Sequence, residues 1–115
     1  MMNFVLIFRS TRAFSPEEIK QRPIDIANWV KQVIAMGITL DPRNLDKVEA
    51  NFSAQNGTVV SHEGSNDPTL ATMVFFDSTD VEKAVEIARM HPALRYGVTV
   101  ELRQWSSPRV PLVNQ

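Results

Sequence analysis

The 115-residue chain contains no cysteine. Disulfides, thiolate metal sites and a cysteine nucleophile are therefore excluded. It also lacks any excess of one charge: twelve basic and thirteen acidic residues leave a net charge of -1, with no run of like sign. The basic footprint that nucleic-acid binding requires is missing, and so is a polybasic patch for a membrane surface. The apolar run Phe4 to Phe8 ends at Arg9. It is too short for a membrane span or for the apolar core of a signal peptide, so a cytoplasmic location is expected. No nucleotide-binding glycine loop, no serine elbow and no pair of catalytic carboxylates is present. Internal repeats and low-complexity segments are absent as well.

What is present is an ordinary globular composition, 43% apolar and 22% charged, which is not that of a disordered chain. A single domain of this length buries roughly two-thirds of its unfolded surface and needs no covalent staple. We place the domain at residues 1–105 and a tail at 106–115.

Hydrophobic periodicity gives the elements. Asn3 to Arg9 reads as a strand with apolar side chains on both faces, Phe4, Leu6 and Phe8 on one and Val5 and Ile7 on the other. Ser15-Pro16-Glu17-Glu18 starts a helix: Ser15 caps it, Pro16 fits its first position and Glu18 completes a capping box. The helix should run to about Met36, capped by Gly37, with a stripe of Ile19, Ile26, Val30 and Val33 and with Ile34 at its edge. Pro23 predicts a kink or a restart. Residues 37–44 read as a loop, with Asp41-Pro42 as a turn. Leu45 to Ala54 alternates as a strand, Asn56-Gly57 suits a type I′ turn, and Thr58 to His62 returns. After a loop at Glu63 to Thr69, Leu70 to Phe76 is again apolar on both faces. A second helix begins at Thr79, with Asp80 near its positive end and Glu82 in a second capping box, and stops at His91-Pro92. Gly97 to Trp105 is the last strand.

The order β-α-β-β-α-β predicts an α+β domain of ferredoxin-like plan, an antiparallel sheet with two helices on one face. A fifth strand candidate is left for an edge or for an extension across a partner. Two helices cover one face only, yet the first and fourth strands are apolar on both. The simplest cover for the open face is a second copy of the same sheet, giving a homodimer built as an α+β barrel. A pocket between sheet and helices would suit a small molecule.

Several segments together resemble YCII-related (DGPF-type) domains. They are Phe4-Val5-Leu6-Ile7-Phe8-Arg9, Ser15-Pro16-Glu17-Glu18, Trp29 eight residues before Gly37, the stretch Asp80 to Ala88, and Pro92 to Gly97 followed by Val98-Thr99-Val100-Glu101-Leu102-Arg103. The Asp-Gly-Pro-Phe segment itself is absent; Glu63 to Pro68 stands in that region. The resemblance implies a ferredoxin-like subunit, a dimeric barrel and, for some members, lyase-type chemistry on aromatic compounds. It also implies an acid/base histidine just before the proline that ends the second helix, which is His91 here. The family's first-helix histidine would fall near Ile26, where this chain has Asp25.

Four residues are therefore candidates for a site. His91 is the acid/base of a lyase or isomerase that needs no cofactor, or else a helix cap; the helix C-terminus is expected to raise its pKa. Asp25 orients His91, or else serves a helix restarted at Pro23. Trp29 lines the pocket, or else belongs to the core. Arg9 binds a ligand, or else, like Glu101 and Arg103 of the last strand, takes part in edge or interface salt bridges. His62-Glu63 lacks the further partners a metal would need. Two other functional classes remain open: a non-catalytic binding or regulatory module, and a haem- or quinone-handling monooxygenase on the same barrel, the latter resting on analogy of fold alone.

Overall fold

Everything is arranged around the first strand. The computed structural model describes residues 1–108, in which β1 spans Met2–Ser10 and its five apolar residues Phe4 to Phe8 are all buried. Such a strand must have neighbours on both edges and cover on its faces. On one edge it pairs with β5 (Leu70–Ser78), with Leu6 opposite Val74. On the other it pairs with β6 (Val98–Gln104), with Leu6 opposite Leu102. A short β2 (Asp41–Asn44) pairs with the far side of β5. The result is a four-stranded antiparallel sheet in the order β2-β5-β1-β6.

Two helices cover one face of it. From α1 (Pro16–Ala35), Trp29 and Val33 are buried; from α2 (Val81–Arg89), Ala84 and Ile87 are buried. All four join one core with Phe4, Leu6, Phe8, Val74 and Phe76. The α1 start is as the sequence predicts. The Ser15 hydroxyl accepts from the Glu18 amide at 3.2 Å, the Glu18 carboxylate accepts from the Ser15 amide at 2.9 Å, and Pro16 opens the helix. Arg12 binds the same carboxylate, and its guanidinium and the Ser15 amide hold Glu18 at a pKa of about 2.

Four expectations are corrected. Of the kink or restart expected at Pro23, the restart does not occur, because α1 runs unbroken through it; Pro23 and Ile19 lie on an exposed side, where water can satisfy the carbonyl that loses its partner. Ile19 and Ile34 are 57% and 58% exposed rather than part of a buried stripe. The cap of α2 is Asp80, not Thr79: its carboxylate accepts from the Lys83 amide at 2.7 Å. Glu82 thus sits one residue too early to close a capping box.

The fourth correction is the largest. Residues 41–44 form the edge strand β2 instead of a turn, and the alternating stretch from Leu45 is strand only at β3 (Asn51–Gln55). It pairs with β4 (Thr58–His62) as a separate two-stranded sheet rather than as part of the main one. Pro42 is tolerated because an edge strand needs hydrogen bonds on only one side. The Asn56-Gly57 turn is as predicted, with φ of 50° and 79°, the positive pair that a type I′ turn requires. Phe52 and Val59 of this hairpin are 65% and 70% exposed.

After α2 the chain makes one turn of 3₁₀ helix, Pro92–Tyr96, which Gly97 closes at φ 73°. A side chain at Gly97 would strike Arg12, whose Nε lies 2.7 Å from the position of a Cβ. No helix among the described residues is long and apolar enough to cross a membrane. The tail placed at 106–115 lies outside the described residues beyond Pro108.

Leu6 is fully buried at the centre of the core. Leu6→Ala should therefore cost about 3 kcal/mol, within the range for a cavity of that size. Urea unfolding followed by circular dichroism measures it, and a cost under 1 kcal/mol would mean that the core closes over the gap.

Candidate functional site

The core leaves one large opening. A cleft of about 660 Å³ lies between α1 and the helix-facing side of the sheet. Ile26 and Trp29 of α1 form one wall, Phe8 of β1 and Val74 of β5 the floor, and Pro42 of β2 an edge. His91 closes the inner end. On the β2 side the cleft is bordered by short side chains, Pro42, Asn44, Ala71 and Thr72, which leave space under α1.

Trp29 is 3% exposed, and its indole N–H donates to the Ile87 carbonyl at 3.0 Å. That bond ties α1 to α2 and fixes the ring against His91, whose centroid is 4.5 Å away in an edge-on contact. Phe8 packs on the other side of the imidazole, at 4.6 Å between centroids. The tryptophan is thus at once part of the core and a wall of the cleft.

His91 is 7% exposed and caps the 3₁₀ turn, its Nδ1 accepting from the Ala93 amide at 3.0 Å. An amide only donates, so Nδ1 carries the lone pair and the proton of the neutral ring is on Nε2. Nε2 has no protein partner among the described residues, and it is not sealed from solvent. The expected rise in the pKa of His91 is reversed. Burial between two aromatic rings, with a smaller push from the Arg22 charge, lowers it to about 4. The C-terminal end of α2 would favour the cation, but desolvation outweighs it.

Asp25 does not orient His91. Its Oδ1 accepts from Gln21 Nε2 at 2.9 Å, and its Oδ2 accepts from the Tyr96 hydroxyl and lies 3.5 Å from Arg95 Nη2. These bonds, that from Tyr96 foremost, lower the Asp25 pKa and raise that of Tyr96. Asp25 and His91 do border one smaller depression, of about 450 Å³, on the far side of the Trp29–His91 wall. The role the structure gives Asp25 is to fasten α1 to the 3₁₀ turn that carries His91.

Arg9 is not in the cleft. It lies on the opposite face of the sheet, where Nε meets Asp67 at 2.8 Å and Nη1 meets Glu101 at 2.6 Å. Arg103 Nε joins the same Glu101 carboxylate at 2.5 Å. The salt-bridge alternative describes it. His62, at the end of β4, lies 2.6 Å from the Ser53 hydroxyl across the hairpin.

Two participants were missed in the sequence. Tyr96 gave no local signal, since it reaches Asp25 only through the 3₁₀ turn. Arg22 could have been found: residues 22, 26, 29 and 33 recur at helical spacing and share a face.

The depressed pKa of His91 carries a prediction. The unfolded chain, with its imidazole near 6.5, takes up a proton that the folded chain refuses down to about 4. His91 thus contributes stability that is complete above pH 6.5 and is lost as the pH falls toward 4. Between pH 6.5 and 5 the loss should be about 2 kcal/mol. His91→Asn, whose amide oxygen can still cap Ala93, should abolish that part of the slope in urea midpoints. An unchanged slope would mean that His91 is protonated without penalty.

No family model matches the chain, and no curated protein matches it significantly.

Proposed function

We propose that the protein is a small-molecule-binding homodimer of the YCII-related kind, with a ferredoxin-like subunit. The single observation that carries the binding reading is the cleft. Its volume of about 660 Å³ is within the range of small-molecule sites, and it is walled by aromatic and aliphatic side chains with a few polar atoms among them. The sheet order β2-β5-β1-β6, with helices after β1 and β5 on one face, supports the ferredoxin-like plan.

The open face supports the dimer. Val5 and Ile7 stand there beside Phe75 and Met73 in register, and Trp105 meets Phe75 edge-on at 6.2 Å. The Arg9–Glu101–Arg103 ion pairs flank this apolar group. A second copy about a two-fold axis would cover the one and meet its own charges at the other.

Within this reading His91 offers its Nε2–H to a ligand acceptor, such as a carbonyl or phenol oxygen. With Nδ1 already engaged by Ala93, the neutral ring is a donor and not a base. That favours binding without catalysis over the lyase or isomerase in which His91 passes protons. The catalytic version is the second reading, favoured by the one open nitrogen of His91. Recovery of the bound compound after incubation separates the two: unchanged ligand supports binding, and a product supports catalysis.

Two measurements test the proposal. In a thermal-shift screen of aromatic acids, phenols and quinones, a true ligand at 100 times its Kd adds about 2.7 kcal/mol to stability. Ile26→Trp, which fills the cleft, should remove that shift, and a screen with no shift from any compound would end the binding reading. In sedimentation equilibrium the wild type should weigh twice 13.0 kDa, and Phe75→Glu should weigh a single chain. A monomeric wild type would dispose of the dimer.

A further inference from the structure

Arg22 lies one helical turn before Ile26 and two before Trp29, on the wall of the cleft. It is half-buried, and its guanidinium carbon sits 3.9 Å above the centre of the Phe14 ring. Its Nε is the one buried side-chain nitrogen or oxygen without a hydrogen-bond partner among the described residues. Among the described residues no carboxylate is within ion-pair distance of it: Glu18 is held by Arg12, and Asp25 by Tyr96, Gln21 and Arg95. Contact with an aromatic face offsets part of the desolvation of a cation but satisfies none of its five in-plane donors.

The rest of the cleft makes this charge stand out. Among the described residues no aspartate or glutamate lines it, and the only other ionisable group there, His91, is neutral. The remaining polar side chains are hydroxyls and an amide: Ser10, Thr39, Thr72 and Asn44. A cation beside an apolar cavity with no internal counter-charge gives a positive potential where water is scarce, which is where a charge-assisted bond is strongest. An unmade bond at a buried donor is costly, and an anion in the cleft would recover it.

We infer that the ligand is an organic carboxylate with a flat apolar body. Its carboxylate is held by Arg22, and its body lies between Trp29, Ile26 and Phe8. This rests on the binding reading above and narrows it, because a cleft selected for shape alone would accept neutral and anionic aromatics alike. Arg22 is then the specificity-determining residue and Trp29 the apolar platform.

The test uses 2-naphthoate and its neutral isostere 2-naphthamide as probes, titrated by calorimetry into wild type, Arg22→Met and Arg22→Lys. Wild type should bind the carboxylate at least tenfold more tightly than the amide. Arg22→Met, which keeps the length and apolar stem of the side chain, should bind the two equally while holding its affinity for the amide. Arg22→Lys should keep a preference for the carboxylate. Circular dichroism melts of the three proteins verify folding, and if Arg22→Met does not fold, the neutral Arg22→Gln takes its place. Equal binding of both probes by wild type would overturn the anion inference and leave the binding reading standing. Preference for the carboxylate that survives in Arg22→Met would also overturn it, by placing the anion elsewhere. Absence of binding by either probe would overturn both.

Discussion

A strand with five consecutive apolar side chains has only one tolerable place, the interior of a sheet with cover on both faces. β1 takes that place, and most of the rest follows. Its helix-facing side chains Phe4, Leu6 and Phe8 set where α1 and α2 must lie. Its pairing with both β5 and β6 puts the two helix-bearing halves of the chain side by side. Its other side, Val5 and Ile7, is buried on the opposite face, beside the half-buried Phe75 and Met73.

The cleft arises from unequal filling of that core. Phe4, Leu6 and Phe76 share the filled core with Ala84 and Ile87 of α2, whereas the β2 edge offers a proline, an asparagine and small neighbours. Trp29 stands at the boundary, its N–H spent on the Ile87 carbonyl and its ring against His91. Because the same two rings separate the mostly apolar cleft from the polar depression around Asp25 and Arg95, the wall between the two is one layer thick. That position explains why the imidazole, at the end of a helix that would favour its cation, is held neutral instead.

How far the sequence reveals all this depends on the range of the interactions involved. Periodicity is local, so the two-sided apolar pattern of β1, the Ser15–Glu18 capping box and the Asn56-Gly57 turn are legible and correct. The β2 edge was not: Asp41-Pro42 has the chemistry of a turn, and only pairing with β5, some thirty residues away, makes it strand. The alternation from Leu45 to Ala54 is genuine but does not say which sheet it joins. At the site, His91 and Trp29 were legible by position along their helices. The partner of Asp25 was not, because a carboxylate bonds whichever donor the fold delivers, and Tyr96 reaches it through a 3₁₀ turn closed by Gly97. Arg9 does share a face with Val5 and Ile7, as alternation predicts, but alternation names no partner, and Asp67 and Glu101 engage its guanidinium.

The β3–β4 hairpin stands apart from this economy. It shares no ladder with the main sheet, and two of its larger apolar side chains are open to water. A two-stranded ribbon gains little stability of its own. Its hydrogen bonds can break and reform without disturbing a single contact under α1 or α2, so it constitutes a separate cooperative unit of low free energy. A chain organised this way has two thresholds rather than one. Across generations, the hairpin is the segment whose length and sequence can drift while the cleft beside it keeps its shape.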